Sequence, residues 1–512
     1  MTTTSTSSKI NHTQDASESD EAVAWEPSAP YLERSRTRRF MAHHDIPDYD
    51  ELLARAVADP AWYWGAVAED LELVWSTPYR DVLDLAPGAP WAEWFTGGGF
   101  NYVANALDRH AEATPDRVAI IWEGDDGAVR RLTFGELLAE TNRLANTLRE
   151  LGVQRGDRIG VFLPMLPETV TAVLALGKLG AVFLPMFSGF GADALGSRLR
   201  DGEATLLITS DEALRRGKAV PMKAVADEAM AMAPSVRTCL VLWRTGGATP
   251  WTPGRDVWWH EVVPEQSTEF ATVETAANEP YMIIYTSGTT GRPKGAMLDH
   301  GNMVAQSITC IRAMNVFRED DVAFMTAPLF HIAGWGSLAP NLMLGIRTVI
   351  HPLGGFDPGA LLDAYEKEGA TTAFNVPEQW KALCAHPDAT SKGRKLRIIS
   401  WGAAPASLTL LQKMGETFPN ALNVAVFGQT EMSPITCVLR GDDSARKIGS
   451  VGLPVPTIQY RVVDDAMNDV SRGEVGEIIY RGPTLMQGYW RKPAETADAF
   501  EGGWFHSGDL VR

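Results

Sequence analysis

The sequence predicts an α/β fold built on parallel sheet, followed by a small β subdomain, and two observations support this. From Phe100 onward, apolar residues at helical spacing alternate with short apolar runs, as in "LTFGELLAETNRLANTLRELGV" followed by "DRIGVFLPM". After Gly449 the pattern changes to short strands punctuated by glycine and proline, such as "GEVGEIIYRGP". Alternating helices and strands are typical of βαβ units, whose strands run parallel.

The elements of the core have recognisable ends. The first helix of this pattern should stop at Gly152, and the helix in "PETVTAVLALGKLG" should stop at Gly180, because glycine readily adopts the conformation that ends helices. Short apolar runs in "AVFLPM", "EGATTAFNVP", "LRIISWGAAP" and "NVAVFGQTE" predict strands that end in small or polar loops. In α/β folds, ligands bind at such loops, at the carboxyl ends of parallel strands.

The chain is expected to comprise four segments. Residues 1–24 are polar and lack the apolar stretch of a signal peptide, which predicts a disordered tail. Residues 25–98 are rich in tryptophan and tyrosine without a sustained period, so we expect an extension wrapped on a larger body. Residues 99–448 form the α/β core and residues 449–512 the small β subdomain. A chain of 512 residues exceeds what one hydrophobic core commonly supports.

The composition excludes several classes of protein. A formal net charge of −18 argues against nonspecific binding to nucleic acid or to anionic membranes. The four cysteines are widely spaced without a CxxC pair, so we expect neither a disulfide framework nor a zinc site, and a reducing, cytoplasmic location. The most apolar stretch, residues 169–187, is interrupted by Lys178, Gly180 and Pro185, which favours a buried helix and strand over a membrane span.

The segment "YTSGTTGRPKG" (285–295) predicts a loop that binds phosphate. Its hydroxyl groups can donate hydrogen bonds, its glycines let backbone N–H groups approach a ligand closely, and Lys294 supplies a positive charge. The spacing differs from the standard P-loop, because no GK pair precedes a serine or threonine and Pro293 would disturb that geometry. The alternative is a flexible surface linker.

This loop resembles the phosphate-loop signature of the adenylate-forming superfamily, which includes acyl- and aryl-CoA synthetases. Six further segments resemble the other signatures of the family and follow its order: "APLFHIAGW" (327–335), "WGAAP" (401–405), "FGQTEM" (427–432), "GSVGLPVP" (449–456), "GEIIYRGP" (476–483) and "WFHSGDL" (504–510). The tryptophan-rich extension, with "WEGD" (122–125) and "FSGFGADALGSRLRD" (187–201), resembles the acetyl-CoA synthetase branch. The resemblance covers roughly residue 100 to the end of the chain.

The resemblance implies a large adenylate-forming domain with two βαβ-type mixed sheets flanked by helices, plus a small β-barrel-like subdomain. It also implies an AMP-forming acid–thiol ligase that uses ATP, Mg²⁺ and coenzyme A. A carboxylate attacks the α-phosphorus of ATP to give acyl-AMP and pyrophosphate, and the thiol of coenzyme A then displaces AMP. The protein would contribute mainly positioning and charge neutralisation. The oligomeric state is left open, with a homodimer as one option.

The resemblance assigns roles to residues at matching positions. Those expected to act in catalysis are Thr286, Lys294, His331 and Glu431, and Glu431 would also hold the Mg²⁺. Those expected to bind the nucleotide are Ser287, Gly288, Thr289, Thr290, Gly291, Gly402, Ala403, Ala404, Pro405, Phe427, Gln429, Thr430 and Asp509. Plainer alternatives stay open for several of them: a surface glutamate at 431, a core aromatic at 427, a turn aspartate at 509 and a structural histidine at 331.

The expected acyl pocket suggests an acid larger than acetate. Its lining would comprise Ile332, Ala333, Trp335, Trp401, Gly428 and Met432. In the acetate-specific branch a tryptophan before the glutamine of the "QTE" motif closes the pocket, whereas this sequence has Gly428 there, and Trp401 would form a different wall. An amino acid is not expected, because "PLFHIAGW" lacks the aspartate that binds a substrate amine.

Members of the resembled family continue past "SGDL" into a smaller mobile domain. For the chain as given, we therefore expect nucleotide and acyl-adenylate binding, with turnover impaired. Two alternatives remain: a ligase that loads a carrier-protein thiol, and a non-catalytic module that binds a nucleotide or acyl-adenylate.

Overall fold

The computed structural model describes residues 35–512, apart from 89–90, 125, 216, 287–292, 315–319, 353 and 448. The expected disordered tail therefore lies outside the described residues, as does most of the phosphate loop. The chain divides into two compact units, Met1–Leu52 and Leu53–Arg512. In the first unit a helix begins after Ser35, whose hydroxyl accepts a hydrogen bond from the backbone N–H of Arg38.

The strands, in chain order, are β1 (Asp81–Asp84), β2 (Glu93–Thr96), β3 (Val118–Glu123), β4 (Val129–Thr133), β5 (Arg158–Phe162), β6 (Val182–Pro185), β7 (Leu206–Ser210), β8 (Ala213–Arg215), β9 (Lys218–Val220), β10 (Thr238–Leu242), β11 (Asp256–Trp258), β12 (Pro280–Thr286), β13 (Lys294–Asp299), β14 (Val322–Met325), β15 (Arg347–Ile350), β16 (Thr372–Phe374), β17 (Ile398–Trp401), β18 (Leu422–Gly428), β19 (Ile435–Arg440), β20 (Leu453–Pro454), β21 (Gln459–Val463), β22 (Gly476–Arg481) and β23 (Phe505–Val511).

The α-helices are α1 (Arg36–His43), α2 (Tyr49–Ala58), α3 (Pro60–Asp70), α4 (Arg109–Ala113), α5 (Phe134–Glu150), α6 (Pro167–Leu179), α7 (Ala192–Asp201), α8 (Met222–Ala231), α9 (Trp259–Val262), α10 (His300–Met314), α11 (Ile332–Met343), α12 (Pro358–Glu368), α13 (Pro377–Ala385), α14 (Ala389–Lys392), α15 (Leu408–Thr417), α16 (Gly441–Arg446) and α17 (Pro493–Ala499). A π-helical turn, Ala104–Asp108, leads into α4, and short 3₁₀ turns span Thr430–Met432 and Glu501–Gly503.

Two large mixed sheets form the body of the second unit. The seven-stranded sheet has the order β11-β10-β7-β5-β6-β12-β13, and only its β12–β13 pair is antiparallel. The nine-stranded sheet has the order β20-β19-β18-β17-β16-β14-β15-β3-β4 and is parallel from β18 to β3, with antiparallel strands at both ends. The predicted α/β class with two mixed sheets is therefore confirmed.

The helix boundaries follow the local signals in the sequence. Thr133 and Glu136 form a reciprocal capping box at the start of α5, because the threonine hydroxyl accepts the Glu136 N–H while the glutamate carboxylate accepts the Thr133 N–H. Helix α6 begins with Pro167 in its first turn and ends at Gly180, which has a left-handed φ of 67°. These two helices pack on the sheets as the alternating pattern predicts.

The aromatic residues of the extension pack against one another. The β1–β2 pair is antiparallel, and the ring of Trp75 lies 5.0 Å from that of Phe95 and 4.9 Å from that of Phe100, between ring centroids. The backbone N–H of Phe100 donates to the carbonyl oxygen of Thr275 at 2.6 Å. The end of the extension is thereby joined to the segment that leads into the seven-stranded sheet.

The small β subdomain contains a three-stranded antiparallel sheet, β21-β22-β23. Between β22 and β23, residues 486–490 return to the seven-stranded sheet and lie along β13. The Trp490 N–H donates to the carbonyl of Gly295 at 2.7 Å, and the Met297 N–H donates to the carbonyl of Gly488 at 3.0 Å. This return places residues 486–490 beside Gly295, at the end of the phosphate-loop segment.

Helices cover the nine-stranded sheet on both faces. Cys310 and Ala313 of α10 share a buried apolar cluster with Ile398 and Val424. Leu411 and other residues of α15 share a different cluster with Ile399, Trp401 and Ala425. Successive strand residues point to opposite faces, so α10 and α15 lie on opposite sides of β17 and β18. The Cys310 thiol lies 3.9 Å from the carbonyl oxygen of Gly336, which places α11 on the same side as α10.

Candidate functional site

A cavity of about 730 Å³ opens at the carboxyl ends of the parallel strands in the nine-stranded sheet. It brings together residues from four motifs that are far apart in the sequence. Those among the predicted site residues that line it are Thr286, His331, Ile332, Ala333, Trp401, Gly402, Ala403, Ala404, Pro405, Phe427, Gly428, Gln429, Thr430 and Glu431. The location agrees with the general preference of α/β folds for ligand binding at this edge.

Adjacent parallel strands bring the "WGAAP" and "FGQTE" motifs together. Strand β17 pairs in register with β18, with Trp401 opposite Ala425, so the loops that follow both strands emerge side by side. A Cβ atom at position 402 would lie 2.6 Å from the carbonyl oxygen of Val426, so glycine allows the first loop to approach β18 closely. Ala403 then turns with a φ of 64°. The two loops form one wall of the cavity.

Glu431 lies at the mouth of the cavity and is held on both its side chain and its backbone. Glu431 is 8% exposed, and its Oε1 accepts a hydrogen bond of 2.9 Å from the hydroxyl of Tyr489. Its carbonyl oxygen accepts the N–H of Met486 at 2.8 Å. Burial, followed by the nearby Glu431 carboxylate, raises the pKa of Tyr489, so the phenol stays a hydrogen-bond donor. The carboxylate is thereby fixed in orientation.

Lys294 also contacts Tyr489, through the aromatic ring. Its Nζ lies 4.4 Å from the ring centroid, within the range of a cation–π contact. The backbone pairing of residues 486–490 with β13 positions Tyr489 between Lys294 and Glu431. Sequence reasoning missed Tyr489. The only signal was an aromatic residue directly after Gly488, in a segment that matched no quoted motif.

The loop that follows β18 contains a buried polar group without a partner among the described residues. The Nε2 of Gln429 is buried and has no hydrogen-bond partner within the described ranges. Residues 449–451, from the "GSVGLPVP" motif, also line the cavity, although no role was predicted for that motif. A buried N–H donor that lacks an acceptor in the protein is suited to donate a hydrogen bond to a ligand atom.

His331 forms the N-cap of α11. Its Nδ1 accepts a hydrogen bond of 3.1 Å from the backbone N–H of Ala333, so the neutral ring carries its proton on Nε2. The residue is exposed to the cavity that it lines, and desolvation by the surrounding walls lowers its pKa. A neutral imidazole with a free N–H donor at the mouth of the cavity can orient an anionic group without adding charge.

The cavity continues as an inner lobe between the sheet and the helices α10 and α11. We define this inner lobe by the lining residues Cys310, Ala323, Gly336, Ser337, Asn341, Thr372 and Ile398. Sequence reasoning found none of these residues, because they are scattered over two helices and three strands. The shared helix face of Ala333, Ser337 and Asn341, spaced by four, was the one available signal.

Trp401 lies at the carboxyl end of β17 and lines the cavity, as expected. Its side chain shares a cluster with Leu411, on the face of the sheet opposite α10, and its Nε1 donates to Oδ1 of Asn423 at 2.8 Å. Because side chains alternate along β17, its indole lies on the face opposite the inner lobe. Its expected role as a wall of the acyl pocket stays a prediction.

Gly428 is required by packing. A Cβ atom at this position would overlap the carbonyl oxygen of Pro434, so no larger residue fits without moving the backbone that follows the motif. Gly428 still lines the cavity, as expected.

Several predicted residues do not line the cavity. Trp335 is 1% exposed and packs with its ring 5.1 Å from that of Phe183, and Met432 is fully buried. Asp509 lies on β23, where burial and then the neighbouring Glu477 raise its pKa. The predicted phosphate-binding residues Ser287, Gly288, Thr289, Thr290 and Gly291 lie outside the described residues.

The residues of the cavity suit a nucleotide together with a metal ion that is held by one protein carboxylate. In the described part of the chain, no group of three or more histidine, cysteine or acidic side chains could hold a metal ion by itself. Magnesium commonly binds one or two carboxylates together with phosphate oxygens and water, which is what Glu431 at the mouth could offer. All four cysteines are buried free thiols.

Two parts of the chain match known protein families. Residues 107–490 match the family described as AMP-binding enzyme, which is most of the chain. The chain belongs to this family. Residues 49–106 match a second description, Acetyl-coenzyme A synthetase N-terminus, so the resemblance of the extension to that branch is confirmed.

Curated members of the AMP-binding enzyme family include similar proteins from several bacteria. The chain is 35% identical over 486 residues to "Acetyl-coenzyme A synthetase" of Mycolicibacterium smegmatis, covering 90% of this chain and 51% of that protein. It is 34% identical over 474 residues to the protein of the same name in Streptomyces avermitilis (89% and 72%) and 33% identical over 476 residues to that of Deinococcus radiodurans (89% and 70%). The chain thus spans about half the length of the first relative.

None of the helices in the described ranges combines the length and the apolar character needed to cross a bilayer.

Proposed function

We propose that this chain activates a carboxylic acid with ATP to form an acyl-AMP and passes the acyl group to coenzyme A. The observation that supports this most strongly is the continuity of one cavity. Its mouth carries the nucleotide motifs and Glu431, and its inner lobe is an apolar space of the kind that an acyl chain fills. The carboxylate of an acid bound in the inner lobe would therefore lie next to the nucleotide.

The residues at the mouth suit the charges of the first step. Thr286 and Lys294 flank the phosphate loop and would bind phosphate oxygens, and Glu431 would hold Mg²⁺. A bound Mg²⁺ neutralises phosphate charge during the attack of the carboxylate oxygen on the α-phosphorus and the departure of pyrophosphate. His331, with its proton on Nε2, would orient the attacking carboxylate.

We propose that the acid is larger than acetate. The relatives are named for acetyl-coenzyme A, and an acetyl group would occupy only the region near the mouth. The inner lobe continues along α11 to Asn341. Empty apolar space beyond a small substrate would forfeit the burial energy that a longer chain supplies.

The names of the relatives favour coenzyme A as the acceptor over a carrier-protein thiol. A cytoplasmic location, where thiols stay reduced, accords with the four buried free cysteines. The competing proposal is a module that binds an acyl-adenylate without turnover.

A screen for pyrophosphate release tests the proposal. The protein expressed from its complete natural reading frame would be incubated with ATP, Mg²⁺ and a panel of acids from acetate to decanoate, with and without coenzyme A, and the products identified by mass spectrometry. Release with medium-length acids and formation of the acyl-CoA would support the proposal. Activity on acetate alone would contradict the proposed size of the acid. Nucleotide binding without any release would favour the non-catalytic module.

A further inference from the structure

The deep end of the inner lobe is polar. Along α11, the residues that line the cavity include Ala333, Ser337 and Asn341, which lie on one face because four residues make about one helical turn. Eight residues at 1.5 Å each separate the first from the last, so Asn341 lies roughly 12 Å farther along the helix than Ala333. Ala333 adjoins the N-cap residue His331 at the mouth, and Asn341 therefore marks the far end.

The strands confirm which end is deep. Helix α11 follows β14 and precedes β15, which runs parallel to β14, so the helix runs back toward the amino ends of the strands. Ala323 and Thr372, which also line the cavity, lie near the amino ends of β14 and β16 and pair directly with each other. The nucleotide motifs lie at the carboxyl ends. An acid that enters carboxylate-outward therefore has its other end near Asn341.

Asn341 has a buried polar atom without a partner. The residue is 3% exposed, and its Oδ1 forms no hydrogen bond with any described residue. A buried carbonyl oxygen left unpaired costs about 1–3 kcal/mol, so such atoms usually have a partner. Two hydroxyls of this region already have acceptors, since Ser337 donates to the carbonyl of Ala333 at 2.8 Å and Ser400 donates to that of Ala373 at 3.1 Å.

A second amide lies behind Gly336. Gln306 is fully buried on α10, its Nε2 lies 3.4 Å from the carbonyl oxygen of Gly336, and its Oε1 has no partner among the described residues. Two unpaired amide oxygens therefore lie on the pair of helices that encloses the inner lobe. A purely hydrocarbon substrate would leave Oδ1 of Asn341, which lines the cavity, unpaired.

We propose that the acid activated by this protein carries a hydroxyl group at or near the end remote from its carboxylate, and that the amide of Asn341 recognises this hydroxyl. The inference rests on the proposed function, because it assumes that an acid occupies the inner lobe. A hydroxyl can donate to Oδ1 and accept from the amide nitrogen, so it pairs with either orientation of the amide. A terminal amine or a second carboxylate fits less well, because the residues that define the inner lobe carry no charge to pair with it.

Matched acids test this proposal. Hexanoic, octanoic and decanoic acids would be compared with their ω-hydroxy counterparts, measuring kcat/KM for pyrophosphate release by the protein from its complete natural reading frame. We expect at least one ω-hydroxy acid to be preferred over its parent by roughly tenfold, the effect of satisfying a buried polar atom. Asn341→Leu, which replaces the amide with an apolar side chain of similar size, should abolish or reverse that preference. Asn341→Ala gives the same comparison if the leucine variant folds poorly.

A control variant and a binding measurement make the result decisive. Ser337→Ala removes a hydroxyl that is already satisfied in the same lobe, so it should leave the ratio between hydroxy acid and parent unchanged. The affinities of octanoyl- and 8-hydroxyoctanoyl-sulfamoyladenosine, which are stable mimics of the acyl-adenylates, would be measured by calorimetry for the wild type and for Asn341→Leu. If no acid releases pyrophosphate, the proposed function fails, while this pair of ligands still tests the recognition by Asn341. Equal or weaker binding of the hydroxylated ligand by the wild type, or an unchanged ratio in Asn341→Leu, would overturn the inference.

Discussion

The hydroxyl of Tyr489 donates a hydrogen bond of 2.9 Å to Oε1 of Glu431, although 58 positions separate the two residues. The contact exists because residues 486–490 leave the small β subdomain and pair with β13. The same pairing places the Tyr489 ring against Nζ of Lys294. The sequence assigns the Glu431 carboxylate and the Lys294 ammonium group to one nucleotide site. Tyr489, from a third segment, contacts both of them.

Glu431→Gln should weaken binding of ATP in the presence of Mg²⁺ by tenfold or more. The amide oxygen can still accept the Tyr489 hydrogen bond, so the fold and the melting temperature should stay close to wild type. The negative charge that would hold the metal is lost. Calorimetric titration of ATP with and without Mg²⁺, together with a thermal melt, measures both effects. Unchanged affinity in a folded variant would remove Glu431 from the metal site.

Lys294→Met should lower the affinity for ATP much more than the affinity for AMP. Methionine keeps an unbranched side chain over the Tyr489 ring but removes the charge that we expect to meet the outer phosphates. Titrations with ATP and with AMP provide the comparison, and Lys381→Met, which removes an exposed lysine of α13 paired with Glu378, is a matched surface control. Equal losses for both nucleotides would show that Lys294 does not act on the outer phosphates.

The sequence predicted the fold class and the motif residues that line the mouth of the cavity because both depend on local signals. Residues such as Gly180 stop helices by their own conformational freedom, and the motifs at 401–405 and 427–431 each lie within a single loop. Adjacent parallel strands then necessarily bring those loops together. Tyr489 could not be predicted in the same way, since its role depends on the pairing of residues 486–490 with β13.

The inner lobe of the cavity could not be predicted from the motifs, for a geometric reason. Two neighbouring residues of one strand point to opposite faces, so the position of Trp401 in the motif could not indicate which side of the sheet its indole covers. The contact between Gly428 and the Pro434 carbonyl depends on a turn several residues later. The inner lobe is assembled from Cys310, Ser337 and Asn341, which no single motif contains.

Asp509→Ala tests a predicted nucleotide contact that lies outside the cavity lining. If Asp509 accepts both ribose hydroxyls, its loss should weaken AMP and ATP alike by about 1–3 kcal/mol. Asp469→Ala, an exposed partner of Arg461 in the same small subdomain, should leave both affinities unchanged. Calorimetry of the two variants with both nucleotides decides the question, and wild-type affinities in Asp509→Ala would remove this residue from the ribose site.

His110 should make the stability of the protein depend on pH between about 4 and 6.5. Burial, opposed only in part by the hydrogen bond of its Nε2 to the Met343 carbonyl, lowers the pKa of His110 to about 4. Between this value and the ordinary value near 6.5, the unfolded chain binds more protons than the fold, so the stability falls as the pH decreases through this window. The expected contribution is on the order of 3 kcal/mol.

His110→Gln isolates this contribution. The glutamine amide can still donate to the Met343 carbonyl at the end of α11, but it does not titrate. Urea unfolding of both proteins at several pH values should give free energies of unfolding that diverge below pH 6.5, with the wild type losing more. Parallel curves would mean that His110 titrates normally in the fold.

Ser337→Leu should restrict the protein to acids with shorter chains. Ser337 lies midway along the face of α11 that lines the inner lobe, so a leucine there would fill the space beyond the mouth, and helix propensity would favour the change. Octanoate and decanoate should lose activity while propionate retains it. The losses should be graded, because each methylene in an apolar pocket contributes only about 1–3 kcal/mol to discrimination.

Trp401→Phe is the matched comparison on the opposite face of the sheet. It removes the hydrogen bond to Asn423 and part of the core around Leu411, so the free energy of unfolding should fall by about 1–3 kcal/mol. Because the inner lobe lies on the α10 side, the order of preference among acids should stay that of the wild type. Values of kcat/KM for propionate through decanoate in both variants measure the difference. A shift toward longer acids in Trp401→Phe, with no change in Ser337→Leu, would place the acyl chain on the α15 side instead.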